Sequence, residues 1–102
     1  MTRIELLPGV VDDLDRIFDH LHAHAVPDAM AHIEGIISAL DILASHPRIG
    51  RRSGTATARD HRELVIGRGA RGYVALYQYV EELNTVFVFA LRAQREAGYK
   101  PS

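Results

Sequence analysis

The residues of this chain best suited to chemistry are arginines, and they sit at the ends of apolar runs. Thr85-Val-Phe-Val-Phe-Ala-Leu91 is followed at once by Arg92-Ala-Gln-Arg95-Glu-Ala-Gly-Tyr99. Seven residues of mainly β-branched and aromatic character read as a strand buried on both faces. A rigid strand ending in Arg-x-x-Arg holds planar cations in a fixed place, an arrangement suited to a carboxylate, another anion or a nucleic-acid backbone. Arg62 opens a second apolar run and Arg71 stands just before a third. On residue types alone, Arg62, Arg71, Arg92 and Arg95 read equally as an anion-binding set or as solvated charge paired with Glu63 or Glu96.

Other chemistries are less well supplied. The chain has no cysteine, which removes thiolate catalysis and disulfides and fits a reducing compartment. Ser38, Ser45 and Ser53 lack the glycine setting of a nucleophile elbow. Gly67-Arg-Gly-Ala-Arg-Gly72 precedes a strand rather than a helix, so it reads as a hairpin turn, and no nucleotide cofactor is expected. His20, His22 and His24 alternate; on a helix His20 and His24 share a face. A third ligand is missing, so no metal is expected, and the imidazoles read as a polar helix end favoured by the helix dipole. Tyr73, Tyr77 and Tyr79 line one strand face. They could stack bases, but packing against helices is the stronger reading.

The elements that must position these residues follow from periodicity. Residues 3–7 alternate weakly and predict a short strand. Pro8 suits a first helical turn, and Val10, Val11, Leu14, Ile17, Phe18 and Leu21 form a stripe predicting a helix over 8–24, with Asp12 and Asp13 near its positive end. A second helix is predicted over 27–46, ended by His46-Pro47. Residues 47–61 read as a loop and a candidate for mobility. Strands are predicted over 62–67, 72–80 and 85–92 as an antiparallel meander. The order β-α-α-β-β-β predicts a two-layer α+β domain over residues 1–102, a helical hairpin packed on a small, mainly antiparallel sheet. The predicted core comprises Ile17, Phe18, Ile33, Ile37, Leu40, Val74, Leu76, Val86 and Val88. Val74 and Leu76 point opposite to the tyrosines, so only one set can dominate the side facing the helices.

Charge is asymmetric. Residues 1–47 carry two arginines and eight acids, a net of −6; residues 48–102 carry nine arginines and Lys100 against five acids, a net of +5. The two halves either complement each other within the fold or leave a basic surface for an acidic partner or nucleic acid. No apolar run approaches the roughly 20 residues of a membrane helix, and no secretory leader is visible, so a cytoplasmic location is expected, with no membrane partner.

Three local patterns, in order, resemble the RelE/ParE toxin superfamily, and the resemblance spans the whole chain. His46-Pro-Arg-Ile-Gly-Arg51 is similar to its His-Pro-x-x-Gly link, Arg62-Glu-Leu-Val to its Arg-x-Leu strand start, and Leu91-Arg-Ala-Gln-Arg-Glu to the Arg-His-Gln-Arg-Glu ending of ParE-like members. The resemblance implies the toxin half of a bacterial type II toxin–antitoxin pair, bound by a cognate antitoxin. ParE-like members poison DNA gyrase and have no established catalytic site; RelE-like members cut mRNA on the ribosome. Here Val74 stands where the family's Tyr-Arg-x-x-Tyr strand has arginine, Ala93 stands where the ending has histidine, and Lys100 is the only lysine. These departures favour the ParE-like reading, with no catalytic residue. Arg62, Arg71, Arg92, Arg95 and Tyr99 are the candidate partner- or target-binding residues. A ribosome-dependent mRNA endonuclease is the alternative, and a non-toxic heterodimerising module the third reading.

Overall fold

The computed structural model describes residues 1–52, 61–67, 72–96, 98 and 99. β1 (Arg3–Leu6) leads into α1 (Pro8–Ala23), then α2 (Ala29–Ala39), α3 (Ile42–Ser45), β2 (Arg51–Arg52), β3 (His61–Ile66), β4 (Tyr73–Val80) and β5 (Thr85–Ala93). Among the described residues the strands form one five-stranded sheet in the order β1-β5-β4-β3-β2. β3, β4 and β5 form the expected antiparallel meander. β1 pairs in parallel with β5, which sets the first strand beside the last at one edge of the sheet and makes the sheet mixed.

The helical layer departs from expectation in two places. α1 begins at Pro8 and ends in a Schellman arrangement: Val26 N–H reaches the Leu21 carbonyl and Ala25 N–H the His22 carbonyl, with Ala25 at φ 51° in the left-handed region. Asp28, rather than Pro27, starts the next helix, its side chain accepting from Ala31 N–H. The predicted helix over 27–46 is divided. Asp41 N–H, Leu43 N–H and Ala44 N–H bond three residues back, to Ser38, Leu40 and Asp41, a tightening that interrupts the α-helix. The buried stripe is Ile33, Ile36, Leu40 and Leu43. Ile37 lies off its edge and is 41% exposed, contrary to the expectation that it joins the core. Part of the predicted loop 47–61 is ordered as β2 and the first residue of β3; residues 53–60 lie outside the described residues.

The tyrosine side of β4 faces the helices. Tyr77 and Ala75 are fully buried in the core with Val86, Val88 and Leu91, and Tyr73 and Tyr79 pack against it. Val74 is also fully buried but points to the opposite, outer face; Leu76 there is half-buried. Ile17, Ile33, Leu40, Val86 and Val88 are buried as expected and Phe18 partly so.

A one-residue bulge in β5 decides what the sheet presents. Tyr77 pairs with Val88 but Leu76 pairs with Ala90, leaving Phe89 without an opposite residue. Strict alternation would continue Val86, Val88, Ala90 and Arg92 toward the helices. After the bulge the inward residues are Leu91 and Ala93, and Arg92 turns outward. α1 holds this irregularity in place. Asp13, 5% exposed, accepts the Leu91 N–H at 2.8 Å, and Arg16 donates to the Leu91 carbonyl, to Asp13 and to Glu96. Asp13 therefore serves as a buried acceptor and not as a first-turn dipole residue. Burial alone lowers the Arg16 pKa, but its bonds to Glu96 and Asp13 outweigh it and the net shift is upward.

Asp13→Ala should leave the buried Leu91 N–H without that acceptor and Arg16 with one carboxylate fewer. A loss of about 1.5–3 kcal/mol is expected, the range for a charge-assisted bond, read as a lower urea midpoint at unchanged m-value.

Candidate functional site

The bulge delivers Arg92 to the outer face, opposite Val74. Its Nη1 lies within hydrogen-bonding distance of the carbonyls of Ala93, Gln94 and Glu96, at 3.2, 3.3 and 3.3 Å. Its guanidinium lies 5.2 Å from the centre of the Tyr99 ring, a cation–π contact. Tyr99 Oη in turn donates to Glu63 Oε2 at 2.6 Å, and Arg51 Nε donates to Glu63 Oε1 at 3.3 Å. The Glu63 side chain is only 13% exposed. Burial, reinforced by the bond to Glu63, pushes the Tyr99 hydroxyl well above the usual phenol range. A phenol held neutral, with its proton committed to a carboxylate, is a poor general base at neutral pH. This cluster is a closed polar network with a carboxylate at its centre.

Arg62 faces the other way, toward the helices, paired with Tyr77. Its Nη1 donates to the carbonyls of Arg48 and Gly50 at 3.2 and 3.0 Å. Tyr77 is fully buried, so its hydroxyl needs a partner; it accepts the Gly50 N–H at 2.8 Å. Gly50 has no room for a side chain: a Cβ there would come within 2.7 Å of the Tyr77 ring and 2.8 Å of the Glu63 carbonyl. The His46-Pro-Arg-Ile-Gly link and the Arg62 strand start, distant in sequence, thus form one clamp. Arg48 completes it, bonding Glu81 at 2.9 Å and lying 4.8 Å from the Tyr79 ring centre.

Arg95 occupies a third place. It is exposed on the rim of a groove of about 770 Å³ between α1, the turn after it and the ends of β4 and β5, with Ile17, Leu21, Val26, Tyr73 and Ala93 among its walls. Burial raises the Tyr73 hydroxyl above its ordinary value; the charge of Arg95 works against this, that of Glu96 with it. Of the five candidate residues, then, Arg92 and Tyr99 come together, Arg62 and Arg95 stand apart, and Arg71 lies outside the described residues. Sequence reasoning missed Glu63, Arg51, Asp13 and Arg16 as parts of these networks. Glu63 follows Arg62 on a strand and must face away from it, but its meeting with Tyr99 depends on register and on the turn after β5.

The architecture has counterparts among solved toxin structures. A chain of the chromosomal ParDE TA system from P. aeruginosa superposes with a TM-score of 0.74 at 19% identity, covering 91% of this chain and 96% of that one. A chain of the E. coli RelBE toxin–antitoxin complex gives 0.64 at 16% identity, covering 94% and 100%. The metal-bound toxin from Helicobacter pylori gives 0.60 at 18%, covering 96% and 100%. These likenesses establish a RelE/ParE-like fold. The sequence profile of the ParE toxin of type II toxin–antitoxin systems, parDE, matches residues 4–98. The chain belongs to this ParE toxin family. Curated protein sequences give no significant match.

Two measurements check the networks. Gly50→Ala should cost about 1–3 kcal/mol, the range for overpacking, seen as a lower thermal midpoint, because its obstacles are a buried ring and a backbone carbonyl. For Tyr99 the folded pKa lies above the unfolded one, near 10. Its contribution to stability is complete below about pH 10 and declines above it, where the unfolded chain ionises first. Tyr73 shifts in the same direction. Denaturation midpoints at pH 8 and 11 should therefore show a smaller alkaline loss in Tyr99→Phe than in the native chain.

Proposed function

We propose that this chain, as one domain over residues 1–102, is a cytoplasmic ParE-like toxin that inhibits DNA gyrase and is neutralised by a cognate antitoxin. The family match and the ParDE and RelBE neighbours support the toxin and its antitoxin partner. The observation carrying the choice of target is the state of the outer-face cations. Arg92 is spent on backbone carbonyls and the Tyr99 ring, Arg51 on Glu63, and Arg62 on the link on the other face. Cutting RNA through its 2′-hydroxyl requires a group to activate that hydroxyl and cations to stabilise the phosphorane. A largely buried carboxylate at the centre of the cluster repels such a phosphate. Inhibition by protein–protein contact needs no such chemistry and can use exposed residues such as Arg95.

The test is a supercoiling assay with purified gyrase beside a translation-dependent mRNA cleavage assay. The expected outcome is loss of supercoiling, relief by the product of the neighbouring antitoxin gene, and intact mRNA; ribosome-dependent cleavage with unaffected gyrase would reject the proposal. Arg95→Ala should keep its circular dichroism and lose roughly ten- to hundredfold in affinity for gyrase or antitoxin, the equivalent of one charge-assisted contact. Arg92→Ala should instead act through stability, by releasing the turn after β5.

A further inference from the structure

The functional reading leaves the alternating histidines of α1 unused. In the structure they divide by face. His22 stacks on Phe18, ring centres 5.9 Å apart. His20 and His24 lie on the groove side, rings tilted by 34° with centres 4.2 Å apart, and both are exposed and line the groove that Arg95 borders. His24 Nδ1 is 2.9 Å from the His20 carbonyl oxygen. A carbonyl only accepts, so Nδ1 carries the proton in this bond, and Nε2 is the nitrogen the neutral ring offers to a metal. This is the backbone-anchored arrangement that orients metal-binding histidines.

We propose that His20 and His24 form a two-donor site for a borderline divalent metal ion, of the zinc, nickel or copper type, at the mouth of this groove. Two imidazoles binding one zinc at 2.0–2.1 Å with tetrahedral angles place their nitrogens about 3.3 Å apart. Such coordination needs ring centres somewhat farther apart than the present 4.2 Å, an opening that two exposed side chains on successive helical turns reach by rotation about their side-chain bonds. Imidazole suits zinc, nickel and copper and disfavours magnesium and calcium. The local field is mixed. The α1 C-terminus presents its negative end, and Arg16 is offset by Asp13 and Glu96, whereas Arg95 on the rim opposes a cation. Among the described residues no third histidine, cysteine or acid completes a cluster. The remaining coordination positions are therefore open to water or to a donor from a molecule seated in the groove, and the affinity expected is micromolar.

The test is calorimetric titration of the purified chain with zinc chloride, with imidazole resonances followed by NMR. One saturable site is expected, with the His20 and His24 signals shifting and those of His22 unmoved. His20→Ala and His24→Ala should each weaken binding at least tenfold, since even losing a supporting group around a metal costs roughly 10–100-fold. His22→Ala should bind as the native chain does, with all three variants unchanged in circular dichroism. Absence of a saturable site, native affinity in the His20 and His24 variants, or equal loss in His22→Ala would overturn the assignment.

Discussion

The fastening of the β5 bulge to α1 determines which residues this protein shows to its surroundings. A strand's side chains alternate, so one extra residue reverses everything after it. With Phe89 unpaired, Leu91 enters the core and Arg92 leaves it. Without the bulge, a guanidinium would have to be buried against the helices and a leucine exposed, an exchange unfavourable on both counts. The irregularity is held by a charged pair on α1, Asp13 taking the Leu91 N–H and Arg16 the Leu91 carbonyl. The same arginine reaches Glu96, tying the turn after β5 to the helix. Helix, bulge and C-terminal turn are therefore tied together by one set of hydrogen bonds.

Much of the fold was legible because periodicity is a local property. The switch from helical to alternating spacing marked the helices and the three antiparallel strands, and Pro8 marked the start of α1. What was not legible is non-local. The break after Ala39 leaves no proline or glycine in the sequence at that point; it reflects a local tightening while both Leu40 and Leu43 stay on the core. The parallel pairing of β1 with β5 joins residues about eighty positions apart, and no pattern within four residues announces it. Tyr77, by contrast, could be placed from its own chemistry: a large apolar ring with one polar tip suits an interior that supplies one partner.

The site was less legible than the fold, for a related reason. Arginine in a sequence announces a charge but not its counter-charge. Of the candidates, Arg62 and Arg92 spend their donors on backbone carbonyls, acceptors that every residue carries and no motif marks. Tyr99 meets Glu63 across a distance set by the turn that Arg92 itself holds together. Arg95, three residues beyond Arg92, shares its composition and its strand end yet stands exposed at a groove. Residue type alone made the two equivalent; the bulge and the turn after it separate them.

This bears on what a family resemblance can carry. The link ending in Gly50 and the strand start at Arg62 are the patterns by which the chain resembles RelE/ParE toxins, and here they meet in a clamp around Tyr77. Their residue types follow from sterics and hydrogen bonding: only glycine fits against the ring, and a long donor is needed to reach two carbonyls. These requirements belong to the packing of the fold and not to any reaction. A likeness in these positions therefore reports architecture, and relatives with different targets can share it. Among the outer-face side chains, Glu63 is the one that bears most directly on the proposed choice of target. A carboxylate buried between Tyr99 and Arg51 gives the outer cluster a negative centre. A surface that grips a phosphodiester backbone needs the opposite sign there.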